Sequence, residues 1–203
     1  TDIDGNVYQT VMIGSQEWMM EDLRTTSFSN GDAISLQDNS CLNDPGYRNP
    51  GNGFFYYNGI AILDERNVCP SGWSVPTKED FEILLSFFGG IETDGDWPVG
   101  AVLRSINTSS VYLWSDPYLG NNNSHLNLVP NGMMYCESNT VYSIGSGNGN
   151  DMSGSARLWT TSAPENGGSH YYLELNDYNN DVDFGGHSGY PSEYLSTCRC
   201  VKD

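Results

Sequence analysis

The sequence predicts an α+β fold, with one main amphipathic helix at about 78–88 packed on short antiparallel strands joined by long loops. Three observations predict it. The 203 residues carry 23 glycines and only 17% charged residues, a mix that favours turns and short strands over a helical bundle. Apolar residues amount to 37% but aromatics reach 12%, so the core must be built from Trp, Tyr and Phe, which bury much area per residue. One stretch has clear helical periodicity: Phe81, Leu84, Leu85 and Phe88 fall at i, i+3, i+4 and i+7. No internal repeat and no domain boundary is visible, so 1–203 reads as a single domain.

In chain order, Asp4-Gly5-Asn6 is a turn signal. Residues 7–13 then alternate as a strand, and Gly14-Ser15 turns the chain into a second strand at 17–19, giving a hairpin with Trp18 and Leu23 in the core. The polar stretch 25–53 reads as a long surface loop. The aromatic run 53–63 is too short to resolve its period and fits either a strand or a short buried helix. Cys69-Pro70-Ser71-Gly72-Trp73 is a tight turn before the helix. Thr77 is the candidate N-cap, Glu79 and Asp80 suit the positive end of the helix dipole, and Gly89-Gly90 ends the helix. One helical turn with Leu103 inside is expected within 100–106. Short strands are expected at 111–114, 126–129 and 133–136, a Gly/Ser/Asn loop at 143–154, and terminal strands at 158–161, 170–175 and 195–201.

Charge narrows the partners. A formal net charge of −18 repels phosphate backbones and anionic membrane surfaces, so nucleic acid is excluded as a natural partner. It suits solubility, cationic partners or Ca²⁺. No stretch approaches the length of a membrane span. The chain opens at Thr1 in mid-domain style, which leaves room for a trimmed leader, lipid anchor or preceding domain. Cys41, Cys69, Cys136, Cys198 and Cys200 are dispersed, without zinc-ribbon spacing. They fit two disulfides and one free thiol in an exported protein, or five reduced and buried thiols.

No catalytic set is visible. His125, His170 and His187 form no metal-binding pattern and read as polar surface residues. Cys198-Arg199-Cys200 suggests redox chemistry only weakly, because both thiols fall on a strand expected to be buried. The Asp/Asn/Gly clusters at 2–6, 121–123, 148–151 and 176–183 have the oxygen ligands of a structural Ca²⁺ but match no EF-hand, and the first reads equally as a hairpin turn. The candidate binding surface is the segment of about 166–190, rich in Tyr, Asn, Asp and Gly. Its proposed contact residues are Asn166, His170, Tyr172, Glu174, Asn176, Tyr178, Asn180, Asp183, His187 and Tyr190. Tyr with Asn, Ser and Gly is the vocabulary of adaptable paratopes, though loops use the same residues for turns. Within this segment, residues 176–183 read as a loop.

Four segments carry a family resemblance: DIDGNVYQTVMIGSQEWMMEDLR, CPSGWSVPTKEDFEILL, LWTTS followed by YYLEL, and CRCVKD. Together, in order and across nearly the whole chain, they resemble the Fibrobacter succinogenes major paralogous domain family, which is also common in Bacteroidetes surface proteins. The second resembles that family's Cys-Pro-x-Gly-Trp-x-x-Pro-[ST] element. The last two resemble its closing Trp-Ser-Ser-Thr and Arg-Cys-Val-[RK]-Asp motifs. The resemblance implies a C-type-lectin-like fold, related in architecture to the formylglycine-generating-enzyme group, with joined N- and C-terminal strands and a long polar region on a small sheet. It implies exported or lipid-anchored proteins that are not enzymes, and a disulfide between Cys69 and Cys200. Cys198 stands where the family usually has Val, and the second cysteine often found after Cys41 is missing here. Cys198 and Cys200 project to one face of a strand and do not pair with each other, which points Cys198 to Cys41 or Cys136. Some C-type-lectin-like proteins resemble targets of diversity-generating retroelements, in which mutated Asn codons give Tyr, Asp, Ser, Gly and His, all frequent between Asn166 and Tyr190. The expected function is an exported or cell-surface module presenting 166–190 to a protein or glycan ligand. The alternative is a structural or assembly domain of a surface fibre or lipoprotein.

Overall fold

The structure, a computed structural model, describes residues 1–37, 43–91, 97–106, 114, 119–137, 140–144, 154–163, 171–177, 179–186 and 190–203. In chain order its elements begin with the hairpin β1 (Thr10–Ile13) and β2 (Gln16–Met19). Then come β3 (Ser35–Leu36), β4 (Gly46–Arg48), β5 (Tyr56–Asn58), helix α1 (Gly59–Ile62) and β6 (Trp73–Ser74). Helices α2 (Lys78–Phe87) and α3 (Gly100–Leu103) follow, with β7 (Met133–Glu137), β8 (Thr140–Ile144) and β9 (Ser155–Trp159). The last are β10 (Tyr171–Asn176), β11 (Val182–Gly186), β12 (Tyr194–Ser196) and β13 (Val201–Lys202).

The protein is mostly β, which corrects the expected α+β layout with one main helix. Strands form a four-stranded sheet (β1-β2-β13-β6), a three-stranded sheet (β11-β10-β9) and a six-stranded sheet (β3-β4-β5-β12-β7-β8). A helix does form where the periodicity placed it, and Thr77 and Asp80 make a reciprocal capping box at its start, at 3.1 and 2.8 Å. It is ten residues long, and the other two helices have four residues each. The physical reason is that short aromatic and β-branched segments satisfy their backbone by pairing with strands far away in the chain, a partnership that local periodicity does not reveal.

Several local expectations shift for the same reason. The hairpin is present, with Gly14 at φ +61° in the left-handed conformation that its two-residue turn needs. The expected loop 25–53 contains β3 and β4, which pair in parallel. The run 53–63 is both a strand and a helix in succession, with Asn58 capping α1 through its side chain. Residues 126–129 form no strand; Leu128 makes a single bridge to Arg104. Residues 111–113 and 145–153 lie outside the described residues. The largest correction concerns 176–183: Val182 to Gly186 is a strand, not part of a loop.

β13 is the strand around which the core is arranged. It lies between β2 and β6, with Val201 opposite both Trp18 and Ser74. Both of its faces are covered. Trp18, Ile13 and Val201 belong to one apolar cluster with Phe81, Leu84 and Leu85. Met19, Cys198 and Cys200 belong to a second with Tyr8, Leu23, Phe28, Tyr57 and Trp159. Cys69 and Cys200 are bonded across 131 residues of sequence. Cys136 is also disulfide-bonded, and Cys41 lies outside the described residues. Cys198 is free and buried, which corrects the expectation that it pairs with Cys41 or Cys136.

On the opposite face of the same segment, Arg199 is 3% exposed and donates from Nε to Asp22 Oδ1 at 2.6 Å. Its Nη1 donates to the carbonyls of Met20, at 2.9 Å, and Leu126. Asn131 Nδ2 donates to Asp22 Oδ2 at 3.1 Å. Removing one partner of such a pair strands a buried charge. Asp22→Ala should therefore cost about 3–5 kcal/mol, read as a lower urea midpoint with an unchanged slope.

Candidate functional site

Strand alternation builds the site on the sheet β11-β10-β9. Leu173, Leu175, Leu158, Ala156 and Val182 turn inward to the first apolar cluster. The register places Tyr172, Glu174 and Asn176 on the other face, opposite Trp159, Arg157 and Ser155 of β9. On β11, Gly185 is opposite Tyr172 and Asp183 is opposite Glu174. A Cβ at Gly185 would stand 2.3 Å from the Tyr172 ring, so only glycine lets the ring lie across the strand.

This face has a definite electrostatic pattern. Arg157 Nη2 stands 2.5 Å from Glu174 Oε1, and its guanidinium carbon is 5.3 Å from the centre of the Tyr172 ring. Burial pushes the Tyr172 phenol up, with the Glu174 charge adding to the effect and Arg157 opposing it. Glu174 faces Asp183 directly across the strands, and like charges in that position destabilise a sheet. Arg157 and Glu174 are each 13% exposed at the side chain, so their ion pair is largely sheltered from water.

The structure sorts the residues expected at the site. Tyr172, Glu174 and Asp183 share the partly buried face just described. Tyr190 is 75% exposed, on the segment that leads into β12. Asn176 and Asn180 do structural work instead. Asn180 Oδ1 accepts from the Ala101 N–H at 2.7 Å and from Arg104 Nη1 at 3.2 Å, and its Nδ2 donates to the Pro98 carbonyl at 3.1 Å. Asn176 is buried and its carbonyl accepts from Arg104 Nη2 at 2.5 Å. Asn166, His170, Tyr178 and His187 lie outside the described residues. Arg157, which was not among the expected contact residues, belongs to the face. Its signal was available: a single cation on a strand adjoining an acidic segment.

Two clefts lie elsewhere. One of about 190 Å³ is lined by Glu21, Asp22, Arg24, Phe54 and Arg199 among others. The other, of about 390 Å³, is lined by Asp64, Asn67, Thr77, Asp80 and Thr161 among others. Neither is lined by a residue of 166–190.

The expected Ca²⁺ clusters present little free oxygen where they are described. Asp2 accepts from the Asn6 N–H at 2.8 Å, from Asn6 Nδ2 at 2.9 Å and from the Tyr8 hydroxyl at 2.7 Å. Asp4 Oδ2 accepts from the Thr25 hydroxyl at 3.0 Å, the Thr26 N–H at 2.5 Å and the Thr26 hydroxyl at 2.9 Å. The 2–6 segment is thus a turn whose carboxylates already hold protein donors. Residues 148–151 lie outside the described residues. Among the described residues, the side chains close enough to share a metal ion are Cys69, Cys198 and Cys200.

Two outcomes follow from these contacts. Asn180→Ala removes the acceptor of the Ala101 N–H and one of the acceptors of Arg104, so it should lower stability by about 1–3 kcal/mol and speed amide exchange in α3. Burial pushes the Asp4 carboxyl up, but donors from Thr26, Ser27 and Thr25 outweigh it and hold it below its ordinary value. A carboxyl so lowered contributes stability that is complete above its ordinary range, and this is lost as the pH falls through the lowered value. Urea midpoints should therefore fall between about pH 5 and pH 2, and Asp4→Asn should flatten part of that fall.

Kinship rests on sequence. The model of the Fibrobacter succinogenes major domain matches residues 11–202. No curated protein and no solved structure matches the chain. The match takes in the hairpin, the Cys69 turn, the candidate face and β13 alike, and on it the chain belongs to the Fibrobacter succinogenes major domain family.

Proposed function

We propose that the chain is an exported, non-catalytic binding module that presents the Tyr172-bearing face of β9, β10 and β11, together with the exposed Tyr190, to a protein or glycan ligand. The observation that carries this reading is the half-buried Tyr172, set beside Glu174 and beside Arg157 and Asp183 of the adjacent strands. An aromatic ring framed by charged groups supplies rigid contact area at low entropic cost together with polar contacts. The Cys69–Cys200 disulfide and the bonded Cys136 support an oxidising compartment outside the cytosol. Among the described residues no helix is long and apolar enough to cross a membrane. Diversification of the segment would have to spare Asn180, because its side chain holds α3 in place.

A second reading, an assembly domain without its own ligand, is favoured by a different observation. Ile83 and Phe87 are exposed on α2, and Phe87 comes within 3.1 Å of the Cβ position of Gly14 in the hairpin turn.

Binding to an array of glycans and cell-surface proteins separates the two. Under the first reading, Asp183→Asn and Tyr190→Ala should each weaken a positive signal by about tenfold or more while changing stability by less than about 1 kcal/mol. An unchanged signal in both variants would remove the sheet face from consideration. Self-association abolished by Phe87→Ser, with no array signal, would favour the second reading.

A further inference from the structure

Three sulfurs meet behind β13. Cys69 and Cys200 are bonded, Cys198 carries the free thiol found among the described residues, and the three Sγ atoms lie within 4.8 Å of one another. All three residues are fully buried, in the apolar cluster that contains Met19, Leu23 and Trp159. The three-residue stretch between Thr197 and β13 sorts its side chains: Cys198 and Cys200 lie in the second apolar cluster, and Arg199 between them meets Asp22 instead.

We propose that Cys198 is an internal exchange partner for the Cys69–Cys200 disulfide, so that the segment leading into β13 can be held in either of two covalent states. In the step, Cys198 gives its proton to solvent and its sulfur attacks Cys69 Sγ. The Cys198–Cys69 bond forms as the Cys69–Cys200 bond breaks, and the bonding pair leaves on Cys200 Sγ, which takes up a proton. One disulfide and one thiol are present before and after, so no oxidant or reductant is consumed. Cys69 is the sulfur attacked. Cys198 and Cys200 stand two residues apart between β12 and β13, and in extended chain such a pair has Cα atoms up to roughly 6.6 Å apart, the outer edge of disulfide geometry.

The same three sulfurs suggest a metal site, and electrostatics decides against it. A metal would need several thiolates together in a dry apolar cluster. Burial pushes the Cys198 thiol far up, and the Asp22 charge adds to that effect. Exchange needs one thiolate, and only for the moment of attack. Burial also gates the reaction: Cys198 stays protonated while the segment is closed and ionises when it lifts. β13 is two residues long, so its ladder can open locally. After exchange, Cys200 and the residues beyond it lose their covalent tie to Cys69 and keep the ladder, the Val201 packing and the Lys202–Glu17 ion pair. The proposal is independent of the binding reading.

Disulfide mapping by peptide mass spectrometry on the whole oxidised chain tests it. Cys200→Ala should contain a Cys69–Cys198 bond, whereas Cys69→Ala should leave Cys198 and Cys200 both open to alkylation. Without reductant, alkylation of the unaltered chain in mild denaturant should label Cys200 as well as Cys198, and Cys198→Ala should abolish the Cys200 label. The unaltered chain decides the matter where Cys200→Ala fails to fold. Label confined to Cys198 in the unaltered chain would overturn the proposal. So would one equivalent of Zn²⁺ bound by the reduced chain, with no Cys200 label in the oxidised one.

Discussion

The buried guanidinium of Arg199 sets the terms for the surrounding structure. A charge at 3% exposure is tolerable only when it is paired and its donors are filled. Filling them takes Asp22 and Met20 just past β2, Leu126 from a loop and, through Asp22, Asn131. One side chain thus fixes the mutual position of three stretches far apart in sequence. On the other face of the same segment, Cys200 ties the strand to the turn before α2. β13 is therefore clamped from both sides, by electrostatics on one and by a covalent bond on the other. Its position between β2 and β6 follows, and with it the separation of the two apolar clusters.

The candidate face is a by-product of this rigidity. Trp159 adjoins that face on β9, and its indole N–H donates to the Tyr57 carbonyl at 2.7 Å while the ring sits in the second cluster. Leu158, its neighbour, sits in the first. β9 thus straddles both clusters, and β10 and β11 extend outward from it. Amides that look adaptable in the sequence are spent on this scaffold: Asn58 caps α1, Asn131 completes the Asp22 network and Asn180 holds α3. The adaptable surface is accordingly narrower than its composition suggests.

The hairpin, the capped helix and the disulfide between Cys69 and Cys200 were legible in the sequence. The first two are local, written in a turn glycine, a Thr-x-x-Asp box and four apolar residues at helical spacing. The disulfide was legible through family resemblance. The dominance of strands was not. β3, β4 and β6 are only two or three residues long, and their existence depends on partners remote in the chain. β11 was hidden for another reason. Val-Asp-Phe-Gly-Gly has glycines where strands are usually depleted in them, and Gly185 is needed only because Tyr172 lies across it. The free state of Cys198 was hidden too, because two cysteines on one strand face look alike until the position of Cys69 selects between them.

The interior position of β13 also governs when the protein can fold. β1 and β2 are made first, yet the sheet they found is missing an inner strand until residues 201–202 have been synthesised. A nascent chain short of that point has no Arg199 for Asp22 and no Cys200 for Cys69. Pairings that span nearly the whole sequence close late and slowly. Closure of the first sheet therefore waits on the strand that lies farthest from its founding hairpin in sequence.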